Sequence, residues 1–178
     1  MSTFKREKFK TLVHFICSRC ENPSRLGATK LNKVIWYTET SSFLKTDEPL
    51  TGVKFVKGEY GPRAHAIVPV INELVEDHAI LVKDAVYYGK PKKEYISLTE
   101  PQIDGLFTAQ EISLIDRMIT MVCDQNTAKS VSDATHNEIW KAAEIGEEIP
   151  IYTVLANRGE ITEEDVQWAD RKIAELTR

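Results

Sequence analysis

Apolar residues recur at helical spacing through the first part of the chain. Phe4, Phe9, Leu12, Val13, Ile16 and Cys20 fall to one side of a helix over Phe4–Cys20, and Asn22, Pro23 and Gly27 end it. Leu31, Val34, Ile35, Thr38 and Ser42 mark a second helix, capped by Thr29 and running to about Lys45. Thr46-Asp47-Glu48-Pro49 reads as a turn, Thr51–Val56 alternates as a short strand, and Glu59-Tyr60-Gly61-Pro62 reads as a loop. Pro62 suits the first turn of a third helix reaching about Asp77, with Ala66, Ile67, Val70, Ile71 and Leu74 as its apolar side.

The period then changes. Ile80–Tyr88 and Glu94–Leu98 are β-prone and joined by Gly89-Lys90-Pro91-Lys92-Lys93, which predicts an antiparallel hairpin. Thr108 with Glu111 is a capping box for a long helix to about Asp124. Ser130 with Asp133, or Ser132, caps a further helix to about Glu144, which Gly146 ends. Ile149–Leu155 is short and ambiguous, and Thr162 with Asp165 starts a last helix to the C-terminus. The expectation is an α+β fold, with residues 1–178 as a mostly helical single domain carrying a small antiparallel β-hairpin.

Composition removes several alternatives. A chain of 178 residues with 42% hydrophobic residues and a net charge of -4 is neither disordered nor a linker. No apolar run approaches the ~18 residues of a membrane span. The basic Lys5–Lys10 stretch precedes too short an apolar run for a signal peptide, and Arg19 follows it. Three cysteines imply no disulfide framework. The chain is therefore expected to be cytoplasmic, with no membrane partner. Its charge is uneven, a net of +5 through Leu98 and -9 from Thr99 onward, which suits a charged partner or mutual attraction of the halves.

Catalytic motifs do not emerge. A Gly-rich phosphate loop, His-Glu-x-x-His and Gly-x-Ser-x-Gly are all missing from the sequence. His14-x-x-Cys17-x-x-Cys20 places possible ligands at successive i, i+3 positions, but no second Cys or His pair completes a four-ligand zinc site. The favoured reading is a buried helix face with small sulfur side chains, so neither metal nor cofactor is expected. His136 and Trp140 stand i, i+4 on one expected helix, either as a contact patch or as a core anchor with His136 over its edge. Lys83, Lys90, Lys92 and Lys93 cluster about the hairpin, and three helices followed by a ribbon is the order of a winged helix. A small winged-helix-like DNA-binding regulator is thus a second reading. Its reading helix would present Arg63 and His65, then Glu73, Glu76 and Asp77, whose charge opposes nucleic acid. The same lysines also serve simply to keep a ribbon edge soluble.

Three separated stretches carry a resemblance. They are Thr29-Lys30-Leu31-Asn32-Lys33-Val34-Ile35-Trp36-Tyr37-Thr38-Glu39, then Gly58-Glu59-Tyr60-Gly61-Pro62, then Ser132-Asp133-Ala134-Thr135-His136 followed by Trp140. In order and spacing they resemble the Panacea domain of SocA-like antitoxins, also described as phage-associated GepA-like proteins, over roughly residues 4–155. Glu39 stands where the family usually has Asp, Trp36 where an aliphatic residue or Tyr is usual, and Arg63 where a small apolar residue often follows the Pro. The resemblance implies a non-enzymatic protein that neutralises a cognate toxin by direct binding in a toxin–antitoxin pair. In one branch of the family the domain also delivers the toxin to a protease. Some relatives add a helix-turn-helix domain, for which the few residues before the first expected helix leave no room. Tyr37, Tyr60, Arg63, His136 and Trp140 are the partner-binding residues expected on this basis, the aromatic ones as interface anchors or as core fasteners.

Overall fold

The computed structural model describes residues 3–157. Helix α1 (Arg6–Arg19) is followed by a 3-10 turn, Pro23–Arg25, and by α2 (Gly27–Thr46). Strands β1 (Phe55–Gly58) and β2 (Gly61–Ala64) precede α3 (Ile67–Glu76), and β3 (Ile80–Tyr87) and β4 (Lys90–Ser97) follow it. The chain then forms α4 (Ala109–Ile119), a π-helical turn Thr120–Asp124, α5 (Ala128–Asp133), α6 (Glu138–Ala142) and a 3-10 helix Ile151–Asn157. The expected α+β class holds. The helix expected from Thr162 lies outside the described residues.

Helix α2 is the centre of the molecule. Leu31, Val34 and Ile35 are fully buried, and Trp36 packs edge-on against Phe55 of β1 at 4.8 Å between ring centroids. Around them, Phe9, Leu12, Val13 and Ile16 of α1, Val70 and Leu74 of α3, and Ile115 and Val122 beyond β4 complete one core. Thr38 is buried on the expected stripe, but so are Lys30, Lys33, Glu39 and Thr40, because α2 is covered on more than one side. Thr29 does not cap it. Asn22 caps the preceding 3-10 turn by accepting from the Ser24 N–H at 3.0 Å, and the chain enters α2 at Gly27, before Thr29 is reached.

Two hairpins form where one was expected. β3 and β4 pair antiparallel from Ile80↔Ser97 to Tyr87↔Lys90, and a two-residue turn, Tyr88-Gly89, has positive φ at both positions (48° and 75°). That is the twist-matched geometry of tight hairpins. The turn is shorter than expected, so Lys90, Pro91, Lys92 and Lys93 belong to β4. The second hairpin, β1–β2, overturns the expectation for Glu59–Pro62. Gly58 pairs with Gly61, Lys57 with Pro62 and Val56 with Arg63, so Pro62 lies in a strand and does not start α3. Proline has no N–H to give a ladder, and a two-stranded ribbon tolerates it at an edge. Arg63 and His65 consequently lie off α3, and its Glu73 pairs instead with Arg6 and Lys10 of α1. Helix α3 therefore does not carry the Arg63 and His65 expected of a reading helix.

The Thr108–Glu111 capping box is present, with the Glu111 N–H donating to Thr108 Oγ1 at 3.2 Å and the Thr108 N–H to Glu111 Oε2 at 2.7 Å. The following expectation fails in detail. The cap of α5 is Thr127, with Ser130 three residues inside it, and the single helix expected to about Glu144 is two short ones. After α6, residues 146–149 return along β1: the Lys57 N–H donates to Glu147 O at 2.8 Å and the Ile149 N–H to Phe55 O at 2.8 Å. Among the described residues no helix is long and apolar enough to cross a membrane.

Candidate functional site

A charged or polar side chain on a helix buried on several sides must find partners there. Lys30, Asn32 and Lys33 of α2 each find a different one. Lys30 Nζ donates to Cys123 O at 3.0 Å, and Asn32 Oδ1 accepts from the Ala64 N–H of β2 at 3.1 Å. Lys33 Nζ donates to Tyr60 O at 2.6 Å and to Thr135 Oγ1 at 2.7 Å. With 1% of its surface exposed, Lys33 is almost wholly desolvated, and burial pulls its ammonium down to about 8. Two turns along the helix, the buried Glu39 carboxylate takes the Thr51 hydroxyl, the Thr51 N–H and, at 3.4 Å, the Gly52 N–H. Burial raises its pKa against these hydrogen bonds. Glu39 thus fastens the loop before β1.

The β1–β2 turn is held from two sides. The carbonyl of Tyr60 accepts from Lys33 and also from Ser132 Oγ at 2.9 Å. The carbonyl of Gly58 accepts from the Trp140 indole N–H at 3.2 Å. Gly61 has φ of +110°, and a Cβ there would overlap the Lys33 ammonium and the Thr135 hydroxyl. The backbone of the turn is therefore tied down while the Tyr60 side chain stays 57% exposed. Tyr60 serves the fold through its carbonyl and leaves its ring to solvent.

His136 and Trp140 meet, but not on one helix. Asn137 caps α6 by accepting from the Trp140 N–H at 2.9 Å, so His136 precedes the helix and Trp140 lies in its first turn. Their rings stack at 3.7 Å between centroids and 6° between planes. The Lys57 ammonium sits 4.3 Å from the Trp140 ring and donates to Ala143 O at 2.9 Å, satisfying a carbonyl just past the end of α6. Burial, followed by the positive charge of Lys33, lowers the pKa of His136. His136 Nε2 lies 3.3 Å from Ser132 Oγ. The Ser132 proton is directed to the Tyr60 carbonyl, so the imidazole donates to Ser132. The pair joins the contacts that hold the β1–β2 turn.

The other candidates are distributed. Arg63 is exposed on β2, its Cβ beside Gly58, and so borders the same turn. Tyr37 lies one turn beyond Lys33 on α2, half-buried against the core. His14 is taken by Ser97 Oγ at 3.1 Å and Thr99 O at 2.9 Å. No metal-binding group of three His, Cys, Asp or Glu side chains occurs among the described residues. The hairpin lysines are divided between contacts: Lys93 pairs with Asp84, and Lys92 with Glu94 and the Ser24 carbonyl. Residue-by-residue reading named the aromatic rings and missed their fasteners, Lys33, Ser132, Thr135 and the Gly58 carbonyl. A lysine facing inward between Leu31 and Val34 was the available signal.

The β1–β2 turn is thus held from behind by Lys33, Ser132 and Trp140, with the Tyr60 side chain exposed in front. The chain belongs to the family described as antitoxin SocA-like, Panacea domain, whose sequence model matches residues 31–141. That span runs from the residue before Asn32 and Lys33 to the residue after Trp140, and so encloses the whole fastened turn. No curated protein and no solved structure matches the chain.

Proposed function

We propose that this chain is the antitoxin of a toxin–antitoxin pair, acts without catalysis, and neutralises a protein toxin by binding it with the face around the β1–β2 turn. Tyr60, Arg63, His136 and Trp140 supply that face, and Tyr37 supports it from α2. Residues 1–178 act as one domain in this reading. The observation that supports it is the division of labour at Tyr60, whose backbone is held by Lys33 and Ser132 while its ring is exposed. A side chain displayed on a rigid support loses little entropy on binding, which is why such aromatics dominate interface energies.

The test is co-expression with the product of the neighbouring reading frame, first shown to be toxic alone. Tyr60→Ala removes an exposed ring that lies outside the core, so melting should change little while the complex weakens by about tenfold or more. His136→Ala, scored the same way, extends the face to the stacked pair. Full rescue by both variants sinks the proposed face. Rescue that requires a host protease, with toxin levels falling, assigns the chain an adaptor role as well.

A further inference from the structure

The β3–β4 hairpin is covered along one edge and bare along the other. The outer edge of β4 faces the body of the protein: Lys92 Nζ donates to the Ser24 carbonyl, Tyr95 is buried, and a Cβ on Gly27 at the start of α2 would lie 3.7 Å from the Lys93 carbonyl. Pro91, on that same edge, has no N–H to offer. Beyond β3, among the described residues, no further strand is paired. Hydrogen-bonded and open pairs alternate along an antiparallel ladder. The Leu98 N–H donates to Ala79 O at 2.9 Å, which places Leu81, Lys83, Ala85 and Tyr87 in the bonded pairs. Val82, Asp84 and Val86 therefore direct their N–H and C=O groups out of the bare edge. Val86 is 74% exposed, and Leu81, Lys83 and Tyr87 are exposed on the opposite face of the strand.

We propose that the outer edge of β3 is a docking site for an extended segment of a partner protein, which joins the hairpin as an antiparallel third strand. Main-chain hydrogen bonds at Val82, Asp84 and Val86 supply the attachment, and the side chains opposite β3 supply the selection. Two exposed charges at the middle of the strand define the partner. Lys83 has Glu94 opposite it inside the hairpin and Asp84 is paired with Lys93, so each has a charged neighbour on one side and nothing on the side of the bare edge. The segment that fits carries a carboxylate opposite Lys83 and, one residue earlier in its own direction, a basic residue opposite Asp84, with β-branched residues opposite Val82 and Val86. A second copy of this chain does not match. The two longest antiparallel self-pairings that bring the outward groups together set Lys83 against Lys83 or Asp84 against Asp84, and like charges directly opposite destabilise a sheet. The site belongs to a different sheet from the β1–β2 turn, so it stands independently of the face proposed there.

The test follows amide exchange by NMR in the isotope-labelled full chain, with an end-blocked peptide, Thr-Val-Thr-Lys-Glu-Val-Thr-Val, whose Lys and Glu meet Asp84 and Lys83. In the free chain the amides of Val82, Asp84 and Val86 should exchange faster than those of Leu81, Lys83 and Ala85. Peptide at about 1 mM should slow the first set selectively. The same peptide with lysine in place of its glutamate should bind about fivefold more weakly. Val86→Pro removes one outward N–H and leaves the bonded pairs intact, so it should weaken binding about tenfold, whereas Val86→Thr keeps the N–H and should stay within about twofold of wild type. The wild-type titration decides the matter even where the proline disturbs the hairpin. Outward amides already protected in the free chain, peptide-induced protection that falls elsewhere or is missing, or a dimer of the chain joined through this edge would each overturn the proposal.

Discussion

The ammonium of Lys33 lies 2.6 Å from the carbonyl oxygen of Tyr60, 27 positions further along the chain. Thr135 receives a second hydrogen bond from the same nitrogen, so one buried cation draws together parts of all three stretches that carry the family resemblance. The ammonium has one further N–H, and burial weakens its charged form. A neutral amine retains two N–H donors, enough for both partners.

That geometry predicts a pH dependence. Lys33 has its folded pKa lowered to about 8 from 10.5, so between those values the unfolded chain binds more protons at this site than the folded one. Its contribution to stability therefore rises with pH across that window, by about 3 kcal/mol at most. Denaturant unfolding of wild type and Lys33→Met should show a difference that moves in favour of wild type from pH 8 upward. A difference that stays flat with pH would refute the assignment of a desolvated ammonium.

Gly61 tests the fastening from the other side. Gly61→Ala places a methyl group against the Lys33 ammonium and the Thr135 hydroxyl, at a φ that side chains rarely adopt. It should cost about 2–4 kcal/mol, whereas an exposed site nearby should cost within about 0.5 kcal/mol. Arg63→Ala supplies that comparison on the same strand. Equal melting temperatures for the two variants would show that the turn is not locked.

His136 should remain neutral to below pH 6.5, because burial first and the Lys33 charge next disfavour its imidazolium. The lowered folded pKa means stability is lost as pH falls through the ordinary histidine value toward the folded one. NMR titration of its ring protons should give a midpoint below 6.5, and Lys33→Met should move that midpoint upward. A midpoint above 6.5, or one that the variant leaves in place, would contradict the stacked and partly desolvated environment.

Local chemistry made parts of this fold legible in advance. Thr108 and Glu111 satisfy one another's backbone within four residues, so the start of α4 needs nothing from elsewhere. The alternation over Ile80–Ser97 and the glycine in its turn similarly define a hairpin from neighbours alone, and the apolar spacing of α1 and α2 identifies the faces that meet in the core. Contacts between distant residues decided the rest. Pro62 is equally suited to the first turn of a helix and to an edge strand, and pairing with Lys57 selects the strand. Ser130–Glu144 is one plausible helix by propensity. It breaks where the Thr135 hydroxyl turns back to the Ser132 carbonyl at 2.9 Å and receives the Lys33 ammonium, while Asn137 caps a new start. The pairing of His136 with Trp140 was visible from their spacing, but the break before α6 and the carbonyls of Gly58 and Tyr60 determine how those rings and the turn are held. Periodicity and capping act over a few residues. A buried lysine chooses among every acceptor that the folded chain brings within reach, which no local pattern encodes.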